Sequence, residues 1–396
     1  MRHADFRQFL AVLALGTAII APLEIAGATP QDDDFQRNFD SVFARAGQTP
    51  APQPLLPAAR PAPHVETAPA TQSDDADSLA APVAPRFVAA QASALQSAPY
   101  AGPYPGAPPE PADVDPFAQR LRAIAEGSHG RIGVAALDLT SGRSVEVRGE
   151  EPFPLASTGK VAIVATFLAG VDDGRYRLDS LYPMMYPLPS HKLEGASAPA
   201  RRGELLSARE LIERALTLSD NHAADGLLYA VGGPQAVDRW LHGIGLYGMR
   251  LDHNINTLVR DDGLINPATT IDVHDSTTPD AMVRLLAGLY RNAWLSPDSR
   301  EVLFGALGRC RTGIHRMKLL LPADAMIGHK TGTLANTSSD VGLIHTASGQ
   351  TIALAIYVTG QGSKPGREAR IAAIARAVYN GYAPPATQWA GVASLR

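Results

Sequence analysis

Ser157 and Lys160 stand three residues apart, a spacing that places both side chains on one face of a helix. A serine hydroxyl is a weak nucleophile and needs an adjacent base. At a helix N-terminus, unpaired backbone N–H groups and the dipole favour developing negative charge. The backbone N–H of Ser157 can also serve an oxyanion hole. A partly desolvated lysine near other cations can lose its proton easily enough to act as the base. On its own, Ser-x-x-Lys arises readily as a capping serine beside a solvated lysine.

Two further sets of residues change that balance. Ser219-Asp220-Asn221 follows a helical stretch that ends near Leu218. Ser219 can pass a proton between the lysines and a leaving group. Asn221 offers an amide to hold a substrate carbonyl or amide, and Asp220 ties the loop together. Taken alone these are also the residue types preferred at helix caps. Lys330-Thr331-Gly332-Thr333 reads as part of an edge strand. Lys330 supplies positive charge for a substrate carboxylate, with the Thr331 and Thr333 hydroxyls as hydrogen-bonding partners. Gly332 lets another backbone approach closely, and the Thr333 N–H is the natural second oxyanion donor. The chain has five lysines, and two of them fall in these sets. All three sets in one order outweigh the bland reading of each.

The elements that must position them follow from periodicity and punctuation. The stretch 131–139 reads as a strand, Thr140-Ser141-Gly142-Arg143 as a turn, and 144–147 as the returning antiparallel strand. A helix is predicted from Ser157 through Ala169. Ser207 and Glu210 form a capping box before an apolar helical face. Gly232-Gly233-Pro234 ends one helix and begins the next, and Thr278-Pro279 opens another. Strands at 340–345 and 351–358 flank a Ser348-Gly349 turn, and a last helix runs from Arg367 to Tyr379. Hairpins at both ends can share one antiparallel sheet, with the helical middle set apart.

The remaining features bound the class. The chain has 396 residues, 45% hydrophobic and 19% charged, with a formal net charge of -4. That suits a globular enzyme and gives no basic excess for nucleic acid. Its 11 histidines are scattered and lack metal-ligand spacing, so no metal and no cofactor are expected. Cys310 is the single cysteine and reads as a small packed hydrophobe. Residues 1–28 read as an export signal: Arg2, His3 and Arg7, an apolar run from Phe9 to Leu23, then Ala26-Gly27-Ala28. Secretion, with a periplasmic or extracellular location, is the expectation. Residues 29–112, rich in Pro and Ala, read as a disordered linker with one helical pattern at Phe35, Phe39, Val42 and Phe43. Residues 113–385 form the folded catalytic domain and 386–396 a tail. A monomer is expected, its linker available for tethering to the cell wall or a membrane surface.

From about Pro116 to Tyr382 the chain resembles the class A β-lactamase family. Leu251-Asp252, Thr277-Thr278-Pro279 with Ala281-Met282, and His329-Lys330-Thr331-Gly332-Thr333 extend the likeness beyond the three sets. The resemblance implies an α+β fold (α/β in the broad sense): an antiparallel sheet with flanking helices, an all-helical lobe, and the site between them. It implies Ser157 as nucleophile, Lys160 as base or relay, Ser219 as relay and Lys330 as electrostatic anchor. Asn221, Thr331, Gly332 and Thr333 would bind substrate, either a β-lactam or a peptidoglycan peptide. The family's deacylating glutamate is missing. Counting from Arg250-Leu251-Asp252 puts Ile255 at its position and Val259 where an asparagine is usual. No glutamate occurs between Glu213 and Glu301. Asp252, Asp261, Asp262 and Asp272 are the candidate substitutes, each also readable as a structural loop carboxylate. A D-alanyl-D-alanine peptidase, or a penicillin-binding sensor that does not turn over, shares the three sets and remains an alternative.

Overall fold

The computed structural model describes residues 115–126, 129–192 and 197–382. The export signal, the linker with its Phe35–Phe43 pattern, and the 386–396 tail lie outside these residues.

Five antiparallel strands form the main sheet: β1 (Ile132–Asp138), β2 (Ser144–Val147), β8 (Met326–Leu334), β9 (Thr337–His345) and β10 (Thr351–Thr359). Their spatial order is β2-β1-β10-β9-β8, so strands from both ends of the domain lie side by side. The pairs Val134↔Ile356 and Ile356↔Asp340 place β10 at the centre. All nine β10 residues are buried, and their alternation divides the core in two. Ile352, Leu354, Ile356 and Val358 face one cluster with α1 (Pro116–Ala125) and α9 (Lys364–Tyr382). Ala353, Ala355 and Tyr357 face the other, which continues into the helical lobe. The expected shared sheet and separate helical middle are both present.

The lobe is built around α2 (Lys160–Asp172), whose residues from Lys160 to Gly170 are all buried. An apolar face all round suits a helix surrounded by others. Around it lie α3 (Ala208–Thr217), α4 (Asn221–Val231), α5 (Pro234–Gly243) and α8 (Pro297–Gly308). The α3 capping box forms as predicted: the Ser207 hydroxyl accepts from the Glu210 N–H, and Glu210 accepts from the Ser207 N–H. Gly232 takes φ +96° at the end of α4, and Pro234 opens α5. Thr278 caps α7 (Pro279–Tyr290).

Some elements differ from the sequence reading. The predicted helix over 157–169 is a 3₁₀ turn, Ala156–Gly159, followed by α2, and no side chain caps either start. The last helix is longer than 367–379 at both ends. A hairpin of β4 (Leu181–Pro187) and β5 (Ala200–Ser207) has no counterpart in that reading. Pro183 and Pro187 interrupt the apolar β4, and β5 is largely polar with Gly203 inside it, so neither reads as a strand. The remaining short elements are β3 (Phe153–Pro154), β6 (Met249–Arg250), α6 (Ile255–Arg260) and β7 (Ser276–Thr277), with β3-β7-β6 forming a small sheet.

Candidate active site

Ser157 sits in the 3₁₀ turn between sheet and lobe, with β8 and α6 packed against that turn. Ala156, just before it, has φ +46°, a left-handed conformation that costs a non-glycine residue about 1–3 kcal/mol. Gly332 allows the turn to approach β8. A Cβ at this position would lie 2.4 Å from Ser339 Oγ, 3.0 Å from Ala156 Cβ and 3.2 Å from Thr158 Cγ2. The glycine of the Lys330-Thr331-Gly332 set is therefore required by the close approach of the strand to the serine turn.

Three separate stretches meet around the hydroxyl of Ser219. Lys160 Nζ donates to Ser219 O at 2.6 Å, to Asn221 Oδ1 at 2.6 Å and to Ser219 Oγ at 3.3 Å. Lys330 Nζ donates to the same Oγ at 2.8 Å and to Thr331 O at 2.8 Å. Ser219 is held for this role by a left-handed backbone, φ +60°. Asp220 then caps α4, accepting from the His222 and Ala223 N–H groups at 2.9 and 3.2 Å. Asp220 thus acts as the helix cap that these residue types also suggested.

Both lysines are fully buried. Burial, and then the neighbouring Lys330 charge, hold the Lys160 ammonium well below the usual lysine range, against the opposing pull of Asp225 and Asp220. Burial likewise lowers Lys330 to about 8, where it keeps most of its charge at neutral pH. A neutral amine has two N–H donors. The two 2.6 Å acceptors of Lys160 satisfy both and leave its lone pair free for another proton.

The structure places the other sequence-derived residues as follows. The Thr331 hydroxyl lies 2.6 Å from Thr312 Oγ1, and the residue is buried. Thr333 is exposed, and its hydroxyl accepts from Arg316 at 2.6 Å. Ile255, at the glutamate position, is buried. The four candidate aspartates all have structural partners. Asp252 accepts from the Asp275 N–H and from Arg250, Asp261 pairs with Arg260, Asp262 accepts from the Ala335 N–H, and Asp272 accepts from His274.

Two groups were not found by sequence reasoning, and a third was read differently. Buried Arg316 donates to Gly332 O and Ser339 O, both at 2.8 Å, and so clips the edge strand β8 to β9. Buried Asp225 stands four residues after Asn221, a helical spacing that was visible but carried no motif. Cys310 departs from the packed hydrophobe expected. It is partly exposed, and its Sγ lies 3.3 Å from Thr312 Oγ1. Burial raises its thiol pKa, but His329 and Lys330 outweigh burial and bring it to about 7.

An antiparallel sheet, an all-helical lobe and a serine–lysine turn between them define an α+β hydrolase of the class A β-lactamase type. The comparisons with known proteins agree. The model of the "Beta-lactamase enzyme family" matches residues 116–382. A β-lactamase of Streptomyces lavendulae is 35% identical over 231 residues, covering 57% of this chain and 72% of that protein. A carbapenem-hydrolyzing β-lactamase KPC of Klebsiella oxytoca is 31% identical, covering 67% and 88%. A solved ancestral class A β-lactamase superposes with TM-score 0.57 and 37% identity, covering 67% of this chain and all of that one. The chain belongs to the β-lactamase enzyme family and is a class A β-lactamase-like serine hydrolase.

Proposed function

We propose that the protein is acylated at Ser157 by β-lactams and releases the opened product slowly. The supporting observation is the Lys160–Ser219–Lys330 bridge beside the serine turn, with both amines fully buried. In this reading the Lys160 lone pair takes the Ser157 proton as Oγ bonds to the lactam carbonyl carbon. The C–N bond then breaks, and the leaving nitrogen receives a proton through Ser219. The backbone N–H groups of Ser157 and Thr333 hold the oxyanion. Lys330 anchors the substrate carboxylate, with Thr331 and Thr333 lining its approach across Gly332, and Asn221 holds the substrate amide.

Water must then cleave the ester. Ile255 supplies no base where relatives are expected to carry a glutamate, and losing a general base typically slows such a step ~10²–10⁴-fold. This favours a second reading as well, a penicillin-binding peptidase or sensor whose acyl-enzyme persists. The N-terminal pattern of residues 1–28 supports export, and the 29–112 segment supports a tether outside the cytoplasm.

Fluorescent penicillin labelling and chromogenic cephalosporin turnover, each with wild type and Ser157→Ala, test this. Covalent labelling of wild type alone is expected, with turnover limited by acyl-enzyme lifetime. Equal labelling of Ser157→Ala would remove the nucleophile assignment. Labelling with no measurable turnover would select the peptidase or sensor.

A further inference from the structure

The helix whose first residue receives Lys160 also carries a buried carboxylate, Asp225. Asp225 lies on α4, four residues after Asn221, so the two side chains share one face of that helix. Asn221 Oδ1 receives the Lys160 ammonium at 2.6 Å. Asp225 therefore stands one helical turn from the point where Lys160 is held. Its two oxygens accept from the backbone N–H groups of Ile255 and Asn256, at 2.7 and 2.9 Å. One buried carboxylate thus stands a helical turn from the acceptor that holds Lys160 and fixes the start of α6, the helix that carries Ile255.

We propose that Asp225 is a positioning residue for acylation: its carboxylate holds a proton on Lys160 and ties that charge to the anchoring of Ile255 and Asn256. The inference rests on the Ser157 acylation reading. The groups acting on Lys160 are Lys330 from β8, Asp220 at the α4 cap and Asp225 on α4; the charge facing Asp225 is Lys160. The hydrogen bonds that Asp225 accepts come from α6, whose Ile255 and Asn256 are uncharged. Asn256 is itself fixed to Met185 O of β4 at 2.9 Å. Burial raises the Asp225 carboxyl to about 6 despite the two N–H donors and Lys160. It is therefore ionised at neutral pH and favours the charged lysine. Removing this charge makes the neutral, proton-accepting amine available at lower pH.

The test is the pH profile of acylation by fluorescent penicillin. Asp225→Asn keeps the side-chain shape and removes the charge, so the acid limb should move about one pH unit lower. A second measurement uses wild type alone and does not depend on the variant folding. The chain has five lysines, so lysine labelled with ¹³C at Cε gives a simple spectrum, with Lys160 assigned through Lys160→Arg. The Lys160 resonance should show an inflection near pH 6, where Asp225 titrates. An unmoved limb in a folded Asp225→Asn, or no such inflection in wild type, overturns the proposal. Ser157-dependent labelling with either result defeats this inference alone, whereas labelling that ignores Ser157 defeats the acylation reading first.

Discussion

Along β8, His329, Lys330 and the clipping Arg316 are buried, and most of their partners lie on other elements. His329 lies 2.8 Å from Asp340 across the β8–β9 pairing, and Arg316 spans two strands and reaches Glu368 of α9. From 250 to 275 the chain is held differently. Arg250 pairs with Asp252, Arg260 with Asp261 and His274 with Asp272, one or two residues apart, while His253 lies 2.6 Å from Asp275. Val259, Leu264, Ile265, Ile271 and Val273 are exposed, and a cavity of about 360 Å³ lies against Leu258, Leu264, Ile265 and Leu334. Buried pairs fix geometry, whereas partly exposed local pairs add less stability. Lys330 thus lies on a wall fixed by buried pairs, whereas the 250–275 wall combines local side-chain pairs with ties to Asp225, Met185 and Ala335 and lacks a glutamate.

The strongest way to break this contrast is to open the rigid wall. Asp340→Asn leaves a buried histidine without its counter-charge and should destabilise the fold by about 3–5 kcal/mol in urea unfolding. A loss comparable to that of a surface pair would mean that the two walls are not held differently. The pH dependence sharpens the same test. Burial lowers the His329 pKa, but Asp340 outweighs burial and raises it to about 10, above the unfolded value. The pair's contribution is thus full below the unfolded histidine pKa and is lost as pH rises through about 10. In Asp340→Asn that alkaline decline should flatten.

A smaller effect concerns substrate charge. Lys330 deprotonates above about pH 8, so KM for a carboxylate substrate should rise as much as ~10-fold per pH unit beyond that point. Lys330→Arg keeps its charge and should show a flat KM profile over the same range. The smallest change is expected on the loop. Asp252→Asn, Asp261→Asn and Asp262→Asn should each leave the acylation rate intact. Asp262→Asn weakens the tie to the Ala335 N–H by ~1 kcal/mol, read as faster hydrogen exchange around 258–265. A selective loss of deacylation in one of the three would show that the loop does supply a base.

Much of this was legible in the sequence because it depends on short spacing. The capping box at Ser207 and Glu210, the Gly232-Gly233-Pro234 break and the Ser348-Gly349 turn between the last strands are local signals, and each appears where expected. The β4–β5 hairpin was not legible, because pairing rather than composition makes those strands. Nor was the 3₁₀ start before α2, which follows the packing of β8 against the serine turn.

The amino-acid order by itself determined the three reactive sets, their sequence along the chain, the sheet-and-lobe division and the lack of a glutamate between 213 and 301. Only the tertiary structure decided that one serine hydroxyl bridges Lys160 and Lys330, that burial draws both amines toward neutrality, and that Lys160 docks on Asn221, a helical turn from Asp225. The physical reason is that spacing along a chain reports faces of helices and strands, whereas charge state depends on desolvation and on partners that folding brings from more than a hundred residues away.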